Sequence, residues 1–183
     1  MASPKHTLTA LVEDRPGVLN RVASLFRRRG FNIQSLTVGP SEIPNLSRMT
    51  IVVDGVNAVV EQVSKQLYKV IDVVKVSELT EEESVVRELA LIKVSTPPGA
   101  RSEIIEITGI YRANIVDVAP DCLIVEVTGT EDKVEALIQL LRPYGIREIV
   151  RTGRTAMARG VSRSMQVEES APGGRQVGKH GVS

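Results

Sequence analysis

Glu13-Asp14-Arg15-Pro16-Gly17-Val18-Leu19 joins the end of an apolar strand to the start of an amphipathic helix. Upstream, residues 6–13 form the strand; downstream, residues 16–29 carry Val18, Leu19, Val22, Ala23, Leu25 and Phe26 at helical spacing. Proline is favoured at the first helical position, where its missing N–H has no intrahelical acceptor to satisfy. Asp14 stands where a short carboxylate caps free helix amides. Gly17 lacks a Cβ, so a ligand can approach the backbone closely there. An exposed helix N-terminus of this kind is a natural anion site, suited to the α-carboxylate of a small ligand.

Working outward, Gly30 ends the helix. Residues 31–39 alternate as a strand, 40–45 are turn-rich, and 47–53 form a third strand closed by Asp54-Gly55. A helix over 57–68 and a strand over 71–79 complete the order βαββαβ, the ferredoxin-like split unit. The pattern then repeats. Residues 86–95 are a strand ending in Thr96-Pro97-Pro98-Gly99, and 100–108 a helix. Ala113-Asn114-Ile115 stands where Phe31-Asn32-Ile33 stood, and Ala119-Pro120 mirrors Gly39-Pro40. A helix over 131–141 and a strand over 146–152 finish the second unit. The expected class is therefore α+β, with two tandem ferredoxin-like domains at 4–79 and 85–153, joined by the polar, acidic linker 80–84. Residues 154–183 lack apolar periodicity and read as a mostly disordered tail, with a short helix within 155–160.

Composition narrows the function. Apolar residues make up 42% of the 183, enough for real cores, but aromatics are only 3%, with no Trp. Stacking on nucleic-acid bases is disfavoured. Lys and Arg (23) nearly balance Asp and Glu (22), so no global field draws DNA, RNA or an anionic membrane. No apolar run approaches the roughly 18 residues a spanning helix needs, and no signal-peptide core opens the chain. A single cysteine, Cys122, excludes an internal disulfide and reads as an ordinary strand residue. The expected setting is cytoplasmic. His6 and His180 have no metal-ligand spacing, and Ser47 and Ser77 lack a base at nucleophile spacing, so no catalytic centre and no metal site is expected.

Four stretches in order carry a family resemblance. They are residues 11–19, Arg29-Gly30-Phe31-Asn32-Ile33, Leu46-Ser47-Arg48-Met49-Thr50-Ile51 and residues 73–79. The first is shared by ACT domains in general; Asn-Ile followed by Leu-Ser-Arg-Met-Thr is more specific. Together they resemble the small regulatory subunit of acetolactate synthase (acetohydroxyacid synthase) over about residues 4 to 160. The second half matches more weakly, through Ile115-Val116-Asp117-Val118 and its strand–helix order.

The resemblance implies an N-terminal ACT domain, an ACT-like C-terminal domain and a non-catalytic role in branched-chain amino-acid biosynthesis. It implies a catalytic large subunit as partner, carrying thiamine diphosphate, Mg and FAD, with no cofactor on this chain. It also implies a homodimer through the ACT domains, and valine or another branched-chain amino acid bound between them as a feedback inhibitor. Gly17, Val18 and Leu19 would receive the carboxylate, Asp14 the ammonium, and Asn32 and Ile33 would come from the facing subunit. Each position keeps a plainer reading: Asp14 as a cap, Gly17 as a tight turn, Asn32 as a turn residue bonded to its own backbone. Arg27-Arg28-Arg29 either complements the helix dipole or meets an acidic patch on a partner. Arg48 reads either as a subunit contact or as a surface arginine. A stand-alone ACT-type amino-acid sensor acting on another enzyme is the alternative reading of the whole chain.

Overall fold

The computed structural model describes residues 5–79 and 84–160, the side chains of 57–59 aside. In the first half, β1 (Lys5–Glu13), α1 (Val18–Arg29), β2 (Ile33–Pro40), β3 (Leu46–Asp54), α2 (Asn57–Leu67) and β4 (Val73–Leu79) follow in order. The sheet runs β2-β3-β1-β4, antiparallel throughout, which is the ferredoxin-like arrangement. Alternation places Leu8, Ala10 and Val12 on one face with Met49, Ile51 and Val53. Against them pack Val18, Val22, Leu25 and Phe26 of α1 and Val60, Val63 and Leu67 of α2. Phe26 meets Phe31 edge-on at 6.2 Å, a contact that fixes the turn after α1.

The second half repeats the plan. β5 (Ser84–Ser95), α3 (Ala100–Ile110), β6 (Asn114–Val118), β7 (Cys122–Gly129), α4 (Glu131–Leu141) and β8 (Ile146–Arg151) form a sheet ordered β6-β7-β5-β8. Its core is Ala90, Ile92 and Val94 against Ile104, Leu137, Ile138 and Leu141. Cys122 is a buried free thiol at the start of β7.

Four expectations need correction. The residues expected to be helical at 155–160 instead include β9 (Thr155–Ala158), which pairs with Ser84–Arg87 of β5. Ala156 is buried while its neighbours Thr155 and Met157 are exposed, a period of two that suits a strand and not a helix turn. The expected tail thus begins with ordered backbone, and its remainder, from 161 onward, lies outside the described residues. Second, Pro16 precedes α1 and is not part of it. Gly17 adopts φ 89°, ψ −9°, and the Val18 N–H reaches Arg15 O at 3.4 Å. That is a type II turn, with Pro in its second place and Gly in its third, and it delivers the chain to the helix. Third, Asp14 does not cap α1, because the turn holds the helix start away from it and no side chain bonds there. Fourth, Gly39 and Pro40 end β2, whereas Ala119 and Pro120 fall beyond β6, so that match is out of register.

The two halves touch through the ends of these sheets. Lys5 Nζ and Arg154 Nη2 each lie 2.6 Å from a Glu131 oxygen. Thr37 Oγ1 reaches the carbonyls of Thr152 (3.2 Å) and Arg154 (3.1 Å), and Thr152 and Arg154 also line a neighbouring cleft of about 400 Å³. A Cβ on Gly153 would come within 2.9 Å of Ser35 Cβ, so the backbone crosses β2 closely there.

Candidate functional site

Hydrogen bonds pin the loop between β1 and α1 to both neighbouring loops. The Glu13 N–H donates to Asp72 O and the Asp14 N–H to Asn45 O, each at 2.8 Å. Asn45 accepts this with φ 63°, a conformation asparagine tolerates better than most residues. From this fixed base the type II turn projects the first turn of α1. The first intrahelical bond runs from Arg21 N–H to Gly17 O, so the N–H groups of Leu19 and Asn20 have no acceptor within the helix. Open space surrounds the position a Gly17 Cβ would take.

Electrostatics favour an anion at this end. α1 has no acidic residue in its first turn and three arginines, Arg27, Arg28 and Arg29, in its last. The dipole is complemented at the C-terminus and left open at the N-terminus.

The sequence-derived residues divide into two groups. Asp14, Gly17 and Leu19 are exposed at the start of α1, Leu19 being 47% accessible. The Val18 side chain is buried in the core, so only its backbone faces this end. Asn32 is exposed and Ile33 half-buried beyond the other end of α1. At 1.5 Å per residue the helix separates the groups by about 18 Å, so one copy of the chain cannot bring them to one ligand. β2, which follows Asn32, is an edge strand whose Val38 is 43% exposed.

One residue here escaped sequence reasoning. Asp72, 4% accessible, is paired with Arg21 Nη1. Its backbone carbonyl also holds Glu13. Asp72 anchors both the loop and the first turns of α1; its only sequence signal is a carboxylate set between Ile71 and Val73. Arg48 lies largely covered on β3, 3.5 Å from Glu42. Among the described residues no group of His, Cys, Asp or Glu is placed to hold a metal ion, and no helix is long and apolar enough to cross a membrane.

Comparison with known proteins gives this geometry a family. The chain is 64% identical over 156 residues to a probable acetolactate synthase small subunit of Archaeoglobus fulgidus, covering 85% of this chain and 98% of that protein. The chain belongs to the acetolactate synthase small-subunit family. An acetolactate synthase small subunit of Mycobacterium bovis is 55% identical over 86% of this chain and 95% of its own length. The family described as the AHAS small subunit-like ACT domain matches residues 8–75, and that described as the small subunit of acetolactate synthase matches 87–160. The crystal structure of the small subunit from Thermotoga maritima superposes with a TM-score of 0.82 at 46% identity, covering 86% of this chain and 99% of that one. In this small-subunit family the loop at Asp14–Gly17 is therefore part of an ACT domain.

Proposed function

We propose that this small subunit is a non-catalytic, cytoplasmic regulator that binds valine, or another branched-chain amino acid, between the ACT domains of a homodimer. It activates the catalytic large subunit and makes it subject to feedback inhibition. The observation that carries the reading is the helix start set up by Pro16-Gly17, open to solvent and free of any first-turn acid. Of the amides expected from the sequence at Gly17, Val18 and Leu19, that of Val18 is engaged in the turn, so the N–H groups of Leu19 and the adjacent Asn20 receive the carboxylate, Gly17 allows its close approach, and Asp14 faces the ammonium. Charge-assisted hydrogen bonds contribute about 1.5–3 kcal/mol each. A few account for much of the roughly 8 kcal/mol of a micromolar complex.

A second copy resolves the separation along α1. Two β2 edges lying side by side bring the Asn32 and Ile33 of one subunit to the helix start of the other. Leu19 and Ile33 then contact the branched side chain. One methylene is worth about 1–3 kcal/mol in such a pocket, so valine is separated only modestly from leucine or isoleucine. Thiamine diphosphate, Mg and FAD would belong to the catalytic partner, where thiamine diphosphate would supply the carbon–carbon bond chemistry. Inhibition is a linkage effect: valine favours the less active arrangement by binding it more tightly.

Calorimetric titration with valine tests the site, using the parent, Gly17→Asp and Gly99→Asp, the last altering the equivalent position of the second domain. Saturable heat in the parent and in Gly99→Asp, abolished in a folded Gly17→Asp, is the expected result. Equal heat in all three places the ligand elsewhere. An unchanged rate of the reconstituted enzyme at saturating valine removes the feedback reading.

A further inference from the structure

The outer surface of α1 and the connection from α2 to β4 enclose an open groove of about 620 Å³. Arg21, Arg28, Arg29 and Lys69 line it, with Leu25 and Ile71 as its apolar part. Positions 21, 25 and 28 share one side of α1 by helical spacing. Ile71 is 89% exposed, an unusual position for a large aliphatic side chain beside four cations. No carboxylate lines the groove. Arg21 is paired with Asp72, Arg29 is held by Gln66 Oε1 at 3.2 Å, and among the described residues no ion pair joins Arg28 or Lys69. Arg28 and Arg29 of the basic run are thus more than a complement to the helix dipole, because Arg21 and Lys69 extend their charge along a concave surface.

We propose that this groove docks an acidic, amphipathic segment of the catalytic subunit, an inference that rests on the regulatory reading above. Charge complementarity selects an acidic occupant. The aliphatic floor, with Ile71 standing out of it, selects a polypeptide over a bare polyanion. Nucleic acid is disfavoured because no aromatic side chain lines the groove for base stacking. The position also supplies a coupling route. Arg21 belongs to the groove, and its partner Asp72 holds the loop that carries Asp14. A docked segment and a ligand at the helix start therefore act on the same helix from two sides.

Association of the full-length chain with the purified catalytic subunit is measured by calorimetry at low and high salt, for the parent, Arg28→Glu/Arg29→Glu and Ile71→Ser. The double reversal is expected to weaken binding by about 10-fold or more at low salt and to flatten its salt dependence. Ile71→Ser weakens it about 3-fold with the salt dependence kept. Valine binding and homodimer mass stay at parental values in both variants; the melting temperature is unchanged in Ile71→Ser and falls slightly in the double reversal, which puts acids at the negative end of the α1 dipole and removes the Arg29–Gln66 bond, while both proteins stay folded. Parental affinity in both variants overturns the groove and leaves the regulatory reading standing. Salt-sensitive self-association lost in the double variant, with catalytic-subunit binding intact, also overturns it in favour of a second copy. A parent chain that does not bind the catalytic subunit removes both readings together.

Discussion

The two halves share a backbone scaffold and differ in what they hang on it. Each strand before the first helix of its unit ends with the same three hydrogen bonds. Glu13 N–H to Asp72 O corresponds to Ser95 N–H to Gly145 O, and Asp14 N–H to Asn45 O corresponds to Thr96 N–H to Asp121 O. Val18 N–H to Arg15 O corresponds to Ala100 N–H to Pro97 O. Gly17 and Gly99 turn at φ 89° and 85°. The side chains that follow are different. Where α1 has Leu19 exposed, α3 has Arg101, whose Nη2 donates to the Ala119 and Pro120 carbonyls at 2.8 Å and closes that end. Where α1 has Arg21 on Asp72, α3 has Glu103, an acid in the first turn that accepts from Tyr144 Oη at 3.0 Å. The second helix start already carries its own negative charge; the first leaves room for a ligand's. The two units share the turn and the sheet order and differ in the charge at the helix start.

The comparison is broken most directly through the cores. Phe26 and Thr108 occupy equivalent places, each accepting the N–H that ends its helix. Phe26 is fully packed against Phe31, whereas Thr108 satisfies its hydroxyl on Ile104 O at 2.7 Å. Phe26→Ala is expected to cost about 3–5 kcal/mol and Thr108→Ala about 1 kcal/mol, measured by urea unfolding. Equal costs would show that the two helix ends are held equally firmly despite their different side chains. The same experiment reads cooperativity: a second transition in Phe26→Ala means that the halves unfold separately.

A smaller effect sharpens the electrostatic contrast. Arg21→Leu leaves the buried Asp72 carboxylate without its guanidinium and is expected to cost about 1–3 kcal/mol. Glu103→Leu, on an exposed pair, is expected to stay within about 0.5 kcal/mol. A Glu103→Leu loss as large as that of Arg21→Leu would mean that the second helix start depends on its acid for more than charge.

The smallest effect concerns the junction between the halves. Lys5 chiefly, by its hydrogen bond, and then Arg154 hold the Glu131 carboxyl below its ordinary value of 4.5, against a desolvation that acts the other way. A depressed folded pKa contributes stability that is present above the unfolded value and lost as pH falls through the folded one. Stability is therefore expected to be unaffected by this group from neutral pH down to about 5, and to decline on further acidification. In Glu131→Gln that part of the acid decline should vanish in urea melts taken across the range. An unaltered acid limb would show that the Lys5–Glu131–Arg154 cluster does not stabilise the junction.

Much of this was legible in the residues. Helix periodicity and glycine stops located α1 and α4, the latter at the residues observed, 131–141, because an unbroken apolar stripe lies between a turn and Pro143. Local rules misjudged Pro16, since Pro at a helix start and Pro in a type II turn look alike until the following glycine's φ is known. They misjudged 155–160 because four residues, Thr155–Ala158, show no period until a partner strand is present. At the candidate site the turn and the open helix end were visible in Pro16-Gly17. The Arg21–Asp72 pair was not, because its members lie 51 residues apart and only the return of β4 beside β1 joins them.

Sequence alone therefore determined what depends on neighbours along the chain: alternation, helical stripes, turns, the repeat, and through quoted motifs the family. Tertiary structure decided what depends on charges and backbones meeting across the fold. It set which helix start stays open, placed Asn32 at the far end of α1, and ran 152–154 across β2. It also gathered Arg21, Arg28, Arg29 and Lys69 around one groove. The reason is physical. Backbone preference acts over a few residues, whereas burial and electrostatics act over distances in space that the chain order does not encode.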